Sequence, residues 1–150
     1  EGKIDENRVY SIIEKYLDAG IKMISLADTA GYAYPRQVER MFNKIRQMDA
    51  SVSLACHFHN TYGLGLANVK AAMDSGAVNF ESSFGGLGGC PFTKLAAGNV
   101  CTEDMVHFLQ RDKIRNDIDL EELVNLAENV SEYFNRELPG YVYRAGIIKY

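Results

Sequence analysis

Strand-like and helix-like patterns alternate along this chain, and the alternation restricts its fold more than any other feature. Short apolar segments at residues 21–28, 51–60, 78–84 and about 98–101 predict four strands. Amphipathic patterns at residues 5–20, 35–45, 64–76, 102–109 and 119–135 predict the helices around them. Repeated strand–helix units of about 25–30 residues are typical of α/β proteins with a parallel sheet.

The domain organisation follows from the lengths of these segments. No low-complexity linker divides the chain, so we expect residues 1–150 to form one domain. A closed (β/α)₈ barrel needs about 250 residues, and four strands cannot close one. The pattern therefore leaves two architectures open, a small open sheet or half of a barrel. The tail, residues 139–150, is aromatic and gives no regular prediction.

Composition and charge exclude several classes of partner. The chain has 150 residues, of which 47% are hydrophobic, which is enough for one sizeable core. The net charge is −4 and the basic residues are scattered, which argues against nucleic-acid or membrane-surface binding. We find no apolar stretch near the roughly 18–20 residues of a membrane span and no leader-like start.

The cysteines and the first residue suggest a compartment and a longer parent protein. Cys56, Cys90 and Cys101 lack paired spacing, so a disulfide framework is not expected and a reducing, cytoplasmic location is predicted. The sequence begins at Glu1 without a methionine and enters a helical pattern almost at once. We therefore expect it to be a piece of a longer protein.

Two histidines at the end of the second predicted strand are the first candidates for chemistry. His57 and His59 are two residues apart, so on a strand they point to the same face. Their backbones would be about 6–7 Å apart, a spacing that allows both imidazoles to reach one metal ion. A pair of locally hydrogen-bonded histidines is the alternative for this motif alone.

The other strand ends carry polar groups that could join the histidines. Asp28 ends the first strand, and Asn99 and Glu103 belong to or follow the fourth. Cys90 lies after the third strand, in the glycine-rich loop of residues 85–91. Ligands gather at the carboxyl ends of strands in α/β folds. Two imidazoles with the oxygen of Asn99 would suit an octahedral Mg²⁺, Mn²⁺ or Co²⁺. From the residue alone, a turn role for Asn99 is the alternative.

Four motifs together resemble a known family. The segments ISLADTAG, HFHNTYGLGLAN, SSFGGLGGCPF and AAGN-x-x-TED, in this order and spacing, resemble the second half of 3-hydroxy-3-methylglutaryl-CoA lyases. These lyases belong to a larger group of metal-dependent TIM-barrel lyases and synthases. The resemblance runs from about residue 24 to residue 109. Asn60 is a departure, since the lyases more often carry aspartate there.

The resemblance implies a fold, a reaction and a set of site residues. It implies strands five to eight of a (β/α)₈ barrel, with His57, His59 and Asn99 as ligands of Mg²⁺ or Mn²⁺. It implies that Cys90 and His57 take part in catalysis and that Glu103 and Asp28 line or support the site. The implied reaction cleaves 3-hydroxy-3-methylglutaryl-CoA, or a related 3-hydroxyacyl-CoA, into acetyl-CoA and a keto acid, acetoacetate for the namesake substrate.

One departure from the family makes the isolated chain an incomplete enzyme. The family carries an Arg-Asp pair on its first barrel strand, and no strand end here offers one. We therefore expect the isolated chain to be inactive and to need the N-terminal half of the barrel, with homo-oligomerisation as a further way to cover its open sheet edges.

Two other functions stay open beside the lyase. One is a synthase of the isopropylmalate or homocitrate type, against which GLGG and Cys90 argue, because those enzymes differ there. The other is a non-catalytic half-barrel that serves as an assembly or metal-binding subunit. An oligomer that gains no activity when the missing half is added would favour it.

Overall fold

A computed structural model describes residues 4–89 and 98–148 of the chain. The strands are β1 (Met23–Asp28), β2 (Ser53–Phe58) and β3 (Ala77–Glu81). The helices are α1 (Glu6–Asp18), α2 (Pro35–Met48), α3 (Gly65–Asp74), α4 (Thr102–Arg111), α5 (Leu120–Tyr133) and α6 (Val142–Ala145), with a 3₁₀ turn at Phe84–Gly86. No helix in the described ranges has the length and apolar character to span a bilayer.

Local sequence signals set the helix ends much as predicted. The Asp5 carboxylate caps α1 by accepting a hydrogen bond from the Asn7 N–H at 3.0 Å, and Asp119 caps α5 through Glu121 and Glu122. Pro35 starts α2, where its missing N–H costs nothing. The predicted alternation of helices and strands is confirmed from α1 to β3.

The three strands form a parallel sheet in the order β1-β2-β3. Ala27 is beside His57, and His57 is beside Glu81, so these residues share one level of the sheet. The register is irregular between Leu54 and Ala55, where β3 has one extra residue that is not paired with β2. Strands that are consecutive in the sequence are thus adjacent in the sheet, as they are in a (β/α)₈ barrel.

The two faces of the sheet differ sharply. Ile24, Leu54, Cys56 and Phe58 are buried in one core cluster with apolar residues from α1 to α4. The opposite face carries the exposed Met23 and otherwise small or polar side chains that are mostly exposed, namely Ser25, Ala27, Ser53, Ala55, His57, Asn79 and Glu81, of which Ala55 is buried. Helices on one face only are typical of barrel winding, because an open doubly wound sheet has helices on both.

The predicted fourth strand is the element that differs from the prediction. Residues 98–101 form two isolated bridges instead, antiparallel between His59 and Asn99 and parallel between Ser83 and Cys101. The Val100 N–H donates to Phe58 O at 3.0 Å, and Val100 O accepts from the Ser83 N–H at 3.0 Å. The segment is thus held between two other chain segments over too short a length to count as a strand.

The tail, which gave no regular prediction, closes over the base of the glycine-rich loop. Leu138 is 1% exposed, and the Gly140 N–H donates to Gly85 O at 2.9 Å. The Asp104 carboxylate, near the start of α4, accepts from the Val142 N–H at 2.7 Å. These bonds are between residues far apart in sequence, so no local pattern could have predicted them.

Candidate metal-binding and active site

The two histidines at the end of β2 lie side by side. Their ring centroids are 5.3 Å apart and their planes meet at 68°. His59 is 6% exposed, whereas the side chain of His57 is about one-third exposed at 32%. The two rings are thus close to each other, as the sequence pattern predicted, because residues two apart on a strand share a face.

Asn99 joins this pair through the backbone. Asn99 and His59 are partners in an antiparallel bridge, flanked by bonds from Asn60 N–H to Gly98 O and from Val100 N–H to Phe58 O, each 3.0 Å. Because the bonds flank the pair and do not link its members, this is the closer of the two antiparallel arrangements, in which Cα atoms are about 4.5 Å apart. His59 and Asn99 therefore lie next to each other.

The two ends of the Asn99 amide differ. Its Nδ2 donates to Leu87 O at 2.9 Å, while its buried Oδ1 has no hydrogen-bond partner within residues 4–89 and 98–148. Gly88 packs so closely that a Cβ there would be 2.6 Å from Nδ2. A buried polar atom without a partner is costly, and a bound ion is one way to satisfy it. The Oδ1 of Asn68 is in the same state but does not lie beside the histidine pair in the sheet.

These three residues fit a divalent cation. Within residues 4–89 and 98–148, no three His, Cys, Asp or Glu side chains are placed to hold a metal. A cation here would therefore use the Oδ1 of Asn99 with the two imidazoles, and draw its other ligands from elsewhere. A mixed nitrogen and oxygen set is suited to Mn²⁺ or Mg²⁺ more than to structural zinc.

Glu81 is a site residue that the sequence reasoning missed. Its Oε2 is 3.1 Å from His57 Nδ1, and its Oε1 accepts from Ser25 Oγ at 2.9 Å. The signal lay in the register, since Glu81 occupies the strand-end position of β3 that corresponds to His57 on β2. Only the actual pairing of the strands reveals it.

Asp28 is placed in a turn at the end of β1. One carboxylate oxygen accepts from the Tyr32 N–H at 2.9 Å and the other from the Ala33 N–H at 2.8 Å. Both oxygens are thus used to hold the loop after β1. A direct catalytic part for Asp28 stays a prediction, and its observed contacts are those of a residue that shapes the loop.

Glu103 is fully buried at the start of α4 and holds the base of the glycine-rich loop. Its two carboxylate oxygens accept from the Gly85 N–H at 2.9 and 3.1 Å. Gly85 has a φ of 59°, so the loop turns there through a conformation that glycine adopts readily. The role observed for Glu103 is support of this loop, and its part in catalysis stays a prediction.

The cysteines fall into two groups. Cys56 is buried, and burial raises the pKa of its thiol to about 12. Burial is also the main cause of a raised pKa at Cys101, with a hydrogen bond to Glu103 adding to it. Cys90, the cysteine chosen from the sequence, lies outside the described residues. Cys56 thus packs in the core.

Comparison with known proteins identifies the family. The family model described as HMGL-like matches residues 1–130. The chain belongs to the HMGL-like family. The resemblance drawn from the four motifs is thereby confirmed.

Relatives within the HMGL-like family support the same placement. The (R)-citramalyl-CoA lyase of Chloroflexus aurantiacus is 38% identical over 97% of this chain and 46% of its own length. A hydroxymethylglutaryl-CoA lyase of Bacillus subtilis is 36% identical over 93% of this chain and 46% of its own length. The chain therefore spans about half the length of the curated relatives it matches.

A solved structure shows that the fold is shared as well. An HMG-CoA lyase of Acinetobacter baumannii, in complex with coenzyme A and 3-methylmalate, is 44% identical to this chain with a TM-score of 0.89. The match covers 97% of this chain and 48% of that one. The HMGL-like chain thus has the architecture of about half of an HMG-CoA lyase.

Proposed function

We propose that this chain is the C-terminal half, strands five to eight, of a (β/α)₈-barrel lyase that requires a divalent metal. The complete enzyme cleaves 3-hydroxy-3-methylglutaryl-CoA, or a related 3-hydroxyacyl-CoA, to acetyl-CoA and a keto acid. The observation that carries the metal site is the buried Oδ1 of Asn99, which no described residue hydrogen-bonds, next to the adjacent His57 and His59 rings.

The half-barrel part of the proposal is supported by the two-faced sheet. Helices cover the face of Ile24 and Leu54, while the face of Ser25 and His57 is polar and largely exposed. In a closed barrel this second face would be the interior, covered by the remaining strands. The half-length match to relatives agrees with a missing partner of similar size. A homo-oligomer could protect the same edges, and a cytoplasmic location remains part of the proposal.

The residues of this chain have distinct parts in the proposed chemistry. His57, His59 and Asn99 would hold a Mg²⁺ or Mn²⁺ ion, which when bound polarises the substrate oxygens. Cleavage needs a base for the hydroxyl proton and an acid for the departing thioester enolate, and we assign proton transfer to Cys90 and to His57, which would have to use the ring nitrogen that does not hold the metal. Glu103 holds the loop that leads to Cys90.

A second substrate has a specific observation in its favour. The relative from Chloroflexus aurantiacus is an (R)-citramalyl-CoA lyase, and it is as similar to this chain as the hydroxymethylglutaryl-CoA lyases are. Its named substrate is also a 3-hydroxyacyl-CoA that can be cleaved to acetyl-CoA. We therefore propose the 3-hydroxyacyl-CoA class and name both compounds as test substrates.

The deciding experiment supplies the missing half. This chain is combined with the N-terminal half encoded upstream of it, with Mg²⁺ or Mn²⁺, and acetyl-CoA release is followed from each substrate. Release that depends on both halves and on metal is the expected result. If the halves fold and associate but release no acetyl-CoA from either substrate, the lyase proposal is wrong and a synthase or an assembly subunit takes its place.

A further inference from the structure

The Glu81 carboxylate makes contacts with both of the other strands, although its side chain is 54% exposed. Oε2 faces His57 Nδ1 on β2 at 3.1 Å, and Oε1 accepts from Ser25 Oγ on β1 at 2.9 Å. The β2 residue level with Ser25 is Ala55. Its methyl group leaves the space through which the Glu81 side chain reaches across β2.

The contact with Glu81 determines which ring nitrogen of His57 is available to bind a metal ion. An ionised carboxylate only accepts hydrogen bonds, so a neutral His57 ring must carry its proton on Nδ1 to bond with it. The lone pair of the ring is then at Nε2. A carboxylate behind a metal-binding imidazole also fixes the ring orientation and strengthens the ligand.

We propose that Glu81 is a positioning residue, which together with Ser25 holds His57 in the Nδ1–H form and orients Nε2 for the cation. This inference rests on the proposed function, because it takes His57 to be a ligand. It adds a functional position on β3, the strand that otherwise contributes no residue to the proposed ligand set.

The test measures the tautomer and the metal affinity separately, in the 150-residue chain at about pH 8. Long-range ¹⁵N–¹H NMR of the His57 ring, without metal, reports which nitrogen carries the proton. Titration with Mn²⁺, followed by the electron paramagnetic resonance signal of the free ion, gives the Kd. The variants are Glu81→Ala, Glu81→Gln and Ser25→Ala. Asn79→Ala is the matched control, since Asn79 is on the same strand and face but its side chain bonds to Ser53.

We expect Glu81→Ala to shift His57 toward the Nε2–H form and to weaken Mn²⁺ binding by about 10–100-fold. Glu81→Gln keeps an acceptor oxygen, so it should retain much of the Nδ1–H form. Its Kd for Mn²⁺ should lie between those of the wild type and Glu81→Ala. Ser25→Ala should have a smaller effect, and Asn79→Ala should match the wild type. If Glu81 only stabilised the fold, its replacement would leave the tautomer of His57 unchanged.

Two results would count against the inference in different ways. If Glu81→Ala keeps the fold and binds Mn²⁺ as tightly as the wild type, Glu81 does not position His57 for a metal, and the proposed function is unaffected. If neither the wild-type chain nor its combination with an N-terminal half shows saturable Mn²⁺ binding, the metal site itself is wrong and the inference is overturned with it.

Discussion

Asn99 is next to His59 across an antiparallel bridge, and its amide is turned so that Nδ2 donates to Leu87 O while Oδ1 is buried without a hydrogen-bond partner in the part of the chain that the structure describes. The bridge to His59 fixes the position of the Asn99 side chain. The hydrogen bond to Leu87 fixes the orientation of its amide, so that Oδ1 is the atom left for a metal ion. Leu87 belongs to the glycine-rich loop, so the loop orients the amide of the residue proposed as a metal ligand.

Replacing Asn99 should weaken metal binding without unfolding the chain. Asn99→Ala removes the Oδ1 atom proposed as a ligand, and we expect the Mn²⁺ Kd to rise at least 10-fold, a change worth about 1.4 kcal/mol. Isothermal titration calorimetry or the free-ion signal measures it. Asn79→Ala is the matched control. Equal affinity in both variants would remove Asn99 from the ligand set.

Substitutions of His59 and Cys90 should have separate effects, the first on metal binding and the second on turnover. In the enzyme assembled from both halves, His59→Ala is expected to lower Mn²⁺ affinity, because it removes a nitrogen ligand. Cys90→Ala is expected to remove most turnover and to leave affinity unchanged, since a proton-transfer residue need not touch the metal. Affinity and acetyl-CoA release are measured on the same samples. Full turnover by Cys90→Ala would mean that the glycine-rich loop has another role.

Loss of the Glu103 carboxylate should destabilise the chain through the loop that it holds. Glu103 is fully buried, and both oxygens accept from the Gly85 N–H. Glu103→Ala leaves that buried N–H unsatisfied, and we expect the free energy of unfolding to fall by about 2–3 kcal/mol in urea denaturation. Glu128→Ala, an exposed residue of α5, is the control and should change little. Similar stability of the two variants would contradict the support role.

Gly98 should tolerate no side chain, for a steric reason. A Cβ on Gly98 would overlap the backbone oxygen of Gly86, so Gly98→Ala must push apart the glycine-rich loop and the segment that carries Asn99. We expect a loss of about 2–3 kcal/mol in thermal or urea unfolding. Gly63→Ala is the comparison: Gly63 has a φ of 75° but open space around it. Its cost should be about 1 kcal/mol.

The buried thiols should resist alkylation at mildly alkaline pH. Burial raises the pKa of Cys56 from 9.0 to about 12 and raises that of Cys101 as well. At about pH 8 a thiol of pKa about 12 is ionised in only about one molecule in ten thousand, and the thiolate is the reactive form. In a Cys90→Ser chain we expect no fast reaction with a thiol reagent until denaturant is added. Rapid reaction of two thiols in the folded chain would contradict this.

The same shift predicts how stability depends on pH. A thiol whose pKa is raised on folding favours the folded state most below its unfolded pKa, near 9.0 for Cys56. That contribution is lost as the pH rises toward about 12, the folded value. Stability measured by urea denaturation should therefore decline above about pH 9 in the wild type and less in Cys56→Ala, compared from each variant's own value at neutral pH.

The sequence by itself determined the repeating elements and the histidine pair. Helical spacing, Asp5 and Pro35 are local signals, since Asp5 caps α1 and Pro35 is the first residue of α2. The proximity of His57 and His59 follows from the period of a strand, which no tertiary contact can change.

The tertiary structure decided how those elements meet. The bridge from Asn99 to His59, the bonds from Glu81 to His57 and Ser25, and the Glu103 contact with Gly85 all join segments distant in the chain. Such pairs depend on strand register and on how loops pack, and one residue of register shift moves a side chain to the other face. The ligand types could be read from the sequence, whereas the atom that each residue presents became known only from the fold.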